Sequence, residues 1–528
     1  MHHFLKALVS AVALCAVTGL SPAAAVTLNL HNGGDATSLD PQRVSGDWEN
    51  RIVGDIFEGL VTEDAKARPI PGMARDWTIS DDGLTYTFNL KEGIKWSDGE
   101  PVKASDFVFA FKRLMDPEQA AQYAYLQYPI KNAEAINTGK MDDLDALGVK
   151  AIDDRTVEIT LERPTPYYLS ALLHYTAYPL PEHVLKEKGD AWVQIGNIVT
   201  NGPYRPVEWV PGSHVLTEKN PEWSDPESLD IDGVKFFTLE DQSAALRRYR
   251  AGEFDILTGF PTDQYKWLQE NRPGEARVEP FAGLYYYVLN TSRPPLDKAD
   301  VRKALSMAVY REIIGPNVLG TGELPAFSWV PPGIGNYESG PAYVEWKDMA
   351  YPQRVEEAKR LLAEAGHGPD NPLKLTLSYN TDDNHKRIAV AVAAMWKPLG
   401  VDVELTNAET KVHYANLRQG TFEVGRAGWL ADYDDPTNFL DLLKSGIEMN
   451  YGRWTNPEYD ALLNKAAEMQ NLEERAATLV KAETIALEDS AAIPIYYYVS
   501  RNVVSPQISG FEDNIKDIHR TRWLAKTE

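Results

Sequence analysis

A regular alternation of strand and helix patterns in the last third of the chain constrains the fold more than any other feature. Apolar and polar residues alternate in LKLTLSY (373–379), VDVELTN (401–407) and TFEVGRAGW (421–429), as they do in half-buried strands. The segments between them, 385–397 and 411–419, have helical patterns. Because a βαβαβ succession joins its strands through crossover helices, it predicts parallel strands in a doubly wound α/β lobe.

Short strand patterns dominate the first half of the chain. The 528 residues exceed one typical domain of roughly 100–200 residues, so we expect two or three lobes. An Asp82-Gly83 turn within residues 76–96 predicts a hairpin, and Asn456-Pro457 predicts the start of a helix. The other strand patterns, which favour an antiparallel or mixed sheet, are 26–30, 156–161, 204–209, 214–220, 234–239, 284–290 and 493–499.

The first 25 residues have the pattern of a secretory signal. Lys6 precedes an apolar run, 7–20, that is too short to span a bilayer, and Ala23-Ala24-Ala25 fits a cleavage site. We therefore expect a mature chain that begins at Val26 and is exported to the periplasm. The single cysteine, Cys15, lies inside the apolar run. The mature protein would then contain no disulfide, thiol nucleophile or cysteine metal ligand.

Composition and missing motifs exclude several function classes. A formal net charge of −24 argues against nucleic acid or an anionic membrane surface as the main partner. The chain has no G-x-S-x-G, H-E-x-x-H, G-x-G-x-x-G or P-loop motif, and its 10 His are scattered, so no metal or cofactor is predicted. The Asp pairs at 81/82, 142/143, 153/154, 382/383 and 434/435 fit turns or helix caps, although a catalytic carboxylate pair stays open.

Ligands of open α/β lobes bind at the carboxyl ends of parallel strands. Here that position holds Gly428, Trp429 and Leu430, followed by Asp432 and Tyr433. Asp432 is either a ligand-binding carboxylate or a turn residue before a helix that begins near Pro436.

The 13 Trp and 26 Tyr suit the binding of varied organic ligands. In the run 496–498, strand alternation places Tyr496 and Tyr498 on one face and Tyr497 on the other. Core packing is the alternative role for these tyrosines and for the run 285–287.

Six segments, in order along the chain, resemble the extracellular solute-binding proteins of family 5, which include the periplasmic receptors of peptide ABC importers. The likeness covers essentially the whole mature chain. The segments are TSLDP (37–41), ARDWTISDDGLTYTFNLKEGIKWSDGEPVKASDFVFAFKR (74–113), NIVTNGPY (197–204), RYRAGEFDI (248–256), KPLGVDVEL (397–405) and RAGWLADYDDPTNFL (426–440).

The resemblance implies an α/β fold of the periplasmic binding protein type, type II and cluster C-like, with three lobes. Lobe I would comprise residues 26–57, 182–282 and 500–528. Lobe II would be an insertion, 58–181, and lobe III would comprise 283–499. The two mixed α/β lobes, I and III, would close by a hinge around an extended peptide.

The resemblance also implies roles for single residues. Asp432 would meet the peptide's α-ammonium, and Tyr498 and Tyr123 would lie near the ligand backbone. Gly428 and Leu430 would offer backbone groups from a strand edge, and Trp429 would wall a side-chain pocket. Residues that would meet the far end of the ligand are Arg426, His385 and Asn380.

Three departures from the family pattern bear on cargo. The family's pocket Trp is replaced by Thr410, and its acidic residue after the LDP segment is replaced by Ser45, near the lobe I residues expected at the ligand. A family Lys near 317–319 is absent, and Asn317 and Leu319 occupy this region. Peptide length and side-chain preference are therefore expected to differ from those of general oligopeptide receptors.

The expected function is a periplasmic receptor, not an enzyme, that captures extended oligopeptides and delivers them to the membrane permease of an ABC importer. We expect a monomer without cofactor or nucleic acid partner. Two alternatives remain open at this level. The same fold could bind another cargo, such as a murein peptide, glutathione, haem or nickel, or the chain could be a secreted hydrolase.

Overall fold

The computed structural model describes residues 25–320, 322–337, 340–408 and 410–527, without the side chains of residues 410 and 411. Residues 1–24, which hold nearly all of the expected signal peptide, lie outside the described residues. The backbone of Thr410 begins a helix, but its predicted role as a pocket residue depends on a side chain outside this description.

The strands, numbered along the chain, are β1 (Thr27–Gly33), β2 (Val61–Glu63), β3 (Pro69–Pro71), β4 (Ala74–Ile79), β5 (Thr85–Leu90), β6 (Val149–Asp153), β7 (Thr156–Thr160), β8 (Tyr204–Val210), β9 (His214–Lys219), β10 (Gly233–Thr238), β11 (Ile256–Leu257), β12 (Ala276–Leu289), β13 (Leu324–Pro325), β14 (Leu373–Asn380), β15 (Val401–Ala408), β16 (Val424–Leu430), β17 (Ala492–Val504), β18 (Ile508–Ser509) and β19 (Ala525–Lys526).

The α-helices are α1 (Asp47–Ile56), α2 (Ala104–Met115), α3 (Ala133–Asn137), α4 (Tyr168–Ala171), α5 (Glu182–Lys188), α6 (Gln242–Arg250), α7 (Tyr265–Asn271), α8 (Ala299–Met307), α9 (Tyr351–Glu364), α10 (Asp383–Trp396), α11 (Thr410–Gln419), α12 (Thr437–Leu440), α13 (Pro457–Ala467) and α14 (Leu472–Glu488). Within the described part of the chain, no helix is both long and apolar enough to cross a membrane.

One mixed sheet runs through the molecule in the order β15-β14-β16-β12-β17-β11-β1-β10-β9-β8, with β13 beside β17. Strand β14 pairs in parallel with both β15 and β16, so the predicted βαβαβ unit with parallel strands is confirmed. Strands β8, β9 and β10 are antiparallel, and β10 pairs in parallel with β1, which confirms the mixed sheet predicted there. The predicted hairpin is formed by β4 and β5.

Two long strands, β12 and β17, cross the middle of this sheet. Their antiparallel register is interrupted between Pro280 and Leu284, next to the predicted lobe boundary at 282/283. An interruption in the pairing of the two connecting strands leaves a natural place for bending.

Three hydrophobic cores organise the chain. The largest draws its buried residues from the span 282–497. The second joins buried residues between 28 and 256 with others between 504 and 524, so predicted lobes I and II share one core. A small third core lies around α6 and α7.

Helix starts and turns follow the local sequence. The Asn456 side chain accepts hydrogen bonds from the backbone of Glu458 and Tyr459, which confirms the predicted start of α13. One member of each Asp pair accepts a backbone N–H in a turn or cap, as expected. These residues are Asp82, Asp143, Asp153, Asp382 and Asp435.

Candidate ligand-binding cleft

Strand β16 presents an edge to the cleft. Strand β12 pairs with β16 from Val424 to Leu430, whereas β14 pairs with it only at Val424 and Gly425. Among the described residues, no strand therefore covers the β14 side of residues 427–430. An edge of this kind can bind an extended chain through main-chain hydrogen bonds, regardless of sequence.

Arg426 is a buried cation at the start of this edge, and only 6% of it is exposed. Its Nη1 donates to Asn380 Oδ1 at 3.1 Å and to the Tyr414 hydroxyl at 3.2 Å, and its Nη2 donates to the Tyr498 hydroxyl at 2.7 Å. All three partners are neutral, and within the described chain no carboxylate pairs with Arg426. A desolvated guanidinium without a counter-ion attracts an anionic group strongly.

His385 lies beside Arg426 and adds no charge at neutral pH. Its ring centroid lies 5.5 Å from that of Tyr285, and its Nδ1 is 3.6 Å from Asp382 Oδ1. Burial, together with repulsion from Arg426, lowers the pKa of His385 to about 4. The positive charge at this end of the cleft therefore belongs to Arg426.

Tyrosine rings surround the guanidinium. Arg426 lies 4.7 Å from the centroid of Tyr285, which stacks on Tyr496 at 4.6 Å. Tyr496 and Tyr498 lie 5.4 Å apart, while the Tyr497 hydroxyl accepts from the Ser328 backbone N–H on the opposite face. The predicted alternation of this run is confirmed.

Position 428 leaves no room for a side chain, because the hydrogen-bonded Arg426 and Tyr498 side chains occupy that space. A Cβ at position 428 would lie 2.8 Å from the Tyr498 hydroxyl and 2.9 Å from Arg426 Nη2. The next residue, Trp429, donates from Nε1 to Asn438 Oδ1 at 2.6 Å, and 51% of Leu430 is exposed. A groove of about 330 Å³ is lined by Phe281, Arg426, Gly428, Trp429, Leu430 and Tyr498.

Asp432 lies in an adjoining cavity of about 220 Å³, and Phe281 lines both spaces. Ser45 of predicted lobe I and Tyr123 of predicted lobe II line the same cavity. The Asp432 side chain is open to the cleft, yet protein on both walls excludes enough water to raise its pKa. The nearby Tyr125 hydroxyl opposes that rise.

The turn before α12 is fixed by Asp435, not by Asp432. Asp435 Oδ1 accepts from the Thr437 backbone at 3.0 Å, and both its oxygens accept from Arg475 at 2.7 and 2.8 Å. The neighbouring Asp434 accepts from the Gly335 backbone at 2.7 Å. Asp434 and Asp435 therefore provide these contacts, and the role of Asp432 stays a prediction.

The structure thus gathers the predicted residues into two adjoining groups. Asp432, Tyr123 and Ser45 line one cavity. The groove and the pocket beneath it contain Arg426, Gly428, Trp429, Leu430, Tyr498, Asn380 and His385. Near 317–319, where the sequence lacks the Lys of the family pattern, Asn317 is exposed and Leu319 is buried.

Sequence reasoning missed four residues at this site: Tyr125, Tyr285, His413 and Tyr414. No sequence signal distinguishes Tyr414, which accepts a hydrogen bond from Arg426. His413 Nε2 lies 2.7 Å from the Arg426 carbonyl oxygen. Tyr285 belongs to a run that also fits core packing, and Tyr125 follows Tyr123 by two positions. Among the described residues, no group of three or more His, Cys, Asp or Glu could hold a metal ion.

The sequence model of the family described as "Bacterial extracellular solute-binding proteins, family 5 Middle" matches residues 68–451, which is most of the chain. The chain belongs to the family 5 extracellular solute-binding proteins. This family 5 protein is 40% identical over 516 residues to the periplasmic oligopeptide-binding protein OppA of Salmonella typhimurium. The match covers 96% of this chain and 94% of the relative.

Solved structures show the same multi-lobe fold for this family 5 protein. The unliganded open form of the murein tripeptide-binding protein MppA superimposes with a TM-score of 0.89 at 37% identity, covering 96% of this chain and 98% of that one. Haemophilus influenzae OppA in complex with the peptide RPPGFSPFR gives 0.73 at 36% identity, covering 96% and 99%. The two matches have nearly equal identity and coverage. The higher TM-score with the open form therefore indicates that the lobes of this chain are arranged as in that form. The predicted type II α/β fold is confirmed.

Proposed function

We propose that this protein is a periplasmic receptor that binds oligopeptides in the cleft and delivers them to an ABC importer. One observation carries the proposal: two charges without ionic partners among the described residues lie at opposite ends of one strand edge. Arg426 is a buried guanidinium held by neutral groups, and Asp432 is a carboxylate that lines the cavity adjoining the groove. A free peptide carries the complementary carboxylate and ammonium at its two ends.

The spacing of the edge favours short peptides. Leu430 lies four positions after Arg426 in β16, which is about 13 Å at roughly 3.3 Å per residue. Asp432 lies two residues further on. A tri- to pentapeptide in extended conformation has a matching length, and its main chain can pair with residues 427–430.

Closure of the lobes would complete the site. We infer the predicted boundaries, with lobe I at 26–57, 182–282 and 500–528, lobe II at 58–181 and lobe III at 283–499. Bending where β12 and β17 lose their pairing would bring Ser45 and its neighbours towards the ligand. We also infer cleavage of the signal after Ala25, a monomeric state, docking on a membrane permease, and binding without catalysis.

Thermal unfolding with and without ligands tests this proposal. A ligand at a hundredfold excess over its Kd stabilises the bound form by about 2.7 kcal/mol. We expect tri- to pentapeptides to raise the melting temperature and free amino acids to have no effect. Dipeptides should bind much more weakly. Their C-terminal carboxylate would lie nearer to the amine end of the site, and Asn317 and Leu319 supply no cation for it.

A matched set of ligands makes the result decisive. The same tetrapeptide with both ends blocked, by acetylation and amidation, is the control, and it should give a much smaller shift. If no peptide pool raises the melting temperature, the peptide proposal is refuted. A shift with a murein tripeptide alone would favour the specialised-cargo alternative.

A further inference from the structure

A turn near the end of the chain, in inferred lobe I, reaches across the hinge to lobe III. It comprises residues 514–519, and we call it the C-terminal turn. The Ile515 side chain packs against the large core of lobe III. A Cβ at position 333 would lie 3.5 Å from Ile515 Cδ1, so this side chain rests on the lobe III loop around Gly333. The chain itself passes between these two lobes in β12 and β17, and Ile515 adds a noncovalent link.

The backbone of Ile515 meets the hinge at Ala282. Ala282 is buried and lies where β12 and β17 lose their pairing. Its N–H donates to the Ile515 carbonyl at 2.8 Å, and its own carbonyl accepts from the Ala431 N–H at 2.8 Å. Ala431 directly precedes Asp432. A single hinge residue therefore joins the C-terminal turn to the loop that carries Asp432.

The Ile515 side chain supports the same loop from a second direction. It rests on the loop around Gly333, and the Gly335 N–H of that loop donates to Asp434 Oδ1 at 2.7 Å. Asp432 is thus flanked on both sides by residues whose contacts lead to Ile515. Hydrogen bonds and packed side chains that are joined in this way can couple distant positions energetically.

The C-terminal turn is fixed to lobe I by its own hydrogen bonds. The Asn514 side chain accepts from the backbone of Lys516 and Ile518, and it donates to the Ile518 carbonyl at 2.8 Å. Asp517 accepts from the Asn502 side chain of β17 at 2.7 Å. A turn that is closed by its own side chain and tied to a strand of lobe I gives Ile515 a firm base.

We propose that Ile515 is a positioning residue that holds the Asp432 carboxylate in register with the lobe I wall of its cavity. Ile515 acts through Ala282 and the loop around Gly333, and not on the ligand itself. The inference rests on the proposed function, in which Asp432 receives the α-ammonium of a peptide. Because atoms close to a hinge axis move least in a rotation, this link would keep Asp432 in place while the lobes close.

Hydrogen exchange in the ligand-free protein tests the link itself. The Ala431 N–H is protected by its hydrogen bond to Ala282, and local opening exposes it to solvent. In Ile515→Ala, we expect the backbone amides of residues 428–434 to exchange about 3- to 10-fold faster than in the wild type. Ile515→Val, which removes only the Cδ1 methyl, should have a smaller effect in the same direction.

Calorimetry of one tetrapeptide in three forms tests the positioning role. The forms are the free peptide, its N-acetyl analogue and its C-terminal amide. Ile515→Ala should weaken binding of the free and amidated forms about 2- to 30-fold, the range for residues that modulate coupling between sites. The acetylated form has no ammonium to meet Asp432 and should bind as it does to the wild type. A merely structural role would weaken all three forms alike.

Ile485→Ala is the matched control. Ile485 is also partly buried against the lobe III core, but it belongs to α14 and lies outside the residues that line the groove and the Asp432 cavity. This variant should change neither the exchange of residues 428–434 nor the relative affinities of the three peptide forms. If Ile515→Ala does not fold, Ile515→Val gives the same comparison.

Three outcomes would overturn the inference. The first is unchanged exchange of residues 428–434 in Ile515→Ala, and the second is an equal loss of affinity for all three peptide forms. The third is an equal effect of Ile485→Ala. If the wild type does not distinguish the free from the acetylated peptide, the proposed role of Asp432 fails and the positioning role fails with it. The exchange measurement needs no ligand, so it still decides whether Ile515 holds the loop, and the two failures are distinguished.

Discussion

The loop that carries Asp432 depends on a fully buried ion pair, and removing its cation should be costly. Arg475 and Asp435 are 1% and 0% exposed, and they form two hydrogen bonds at 2.7 and 2.8 Å. In Arg475→Met, the Asp435 carboxylate keeps only its contacts with Thr437 and Asn336. Breaking a buried pair by removing one partner costs about 3–5 kcal/mol, so we expect the free energy of unfolding to fall by that amount.

The double variant Asp435→Asn/Arg475→Met tests the cause of this loss. Asn can still accept from the Thr437 backbone, but neither charge remains. Because the penalty comes from an uncompensated charge, the double variant should recover a large part of the stability lost in the single variant.

Urea unfolding at pH 7, followed by circular dichroism, measures these differences. Arg360→Met is the control, because Arg360 is half exposed on α9 and pairs with Glu357 and Glu364 at the surface. An exposed pair is worth about 0–1 kcal/mol. A loss in Arg475→Met no larger than in this control, or a double variant as unstable as the single one, would refute the reasoning.

Two further predictions concern the groove and the core beside it. Gly428→Ala should weaken tetrapeptide binding about tenfold or more in calorimetry, because the new methyl displaces the Arg426–Tyr498 hydrogen bond. Gly368→Ala, with no atom within 4 Å of its Cβ, should not change it. Burial raises the pKa of Glu483 to about 7, above its ordinary value of 4.5. Stability from this group therefore falls as the pH rises from about 4.5 to 7, and Glu483→Gln should flatten that slope in urea titrations.

Local patterns in the sequence predicted the elements that depend on neighbouring residues. Alternation over 373–379 and 401–407 identified β14 and β15, and Asn456-Pro457 identified the start of α13, because propensity and capping act within a few residues. The same reasoning placed Tyr496 and Tyr498 on one face of β17.

Contacts between distant segments could not be predicted in this way. Tyr167 stacks on Tyr433 across the predicted boundary between lobes II and III. Glu483 accepts hydrogen bonds from a loop about 150 positions earlier, including the Trp329 backbone at 2.9 Å. Such pairs leave no periodic signal, because the fold alone decides which distant segments meet. For the same reason, the sequence alone left two roles open for Asp432, as a ligand-binding carboxylate or as a turn residue before α12.

The central claim is that Asp432 holds the α-ammonium of a peptide. Calorimetry of the wild type and Asp432→Asn, each with a free and an N-acetylated tetrapeptide, tests it most directly. Losing one partner of a buried, hydrogen-bonded charge pair costs roughly 2–5 kcal/mol, or about 30-fold to several thousandfold in affinity. We expect each single change to cause such a loss, and the combination to cost much less than the sum. Equal wild-type affinity for the free and acetylated peptides would contradict the account, and additive losses would show that the anchor is not Asp432.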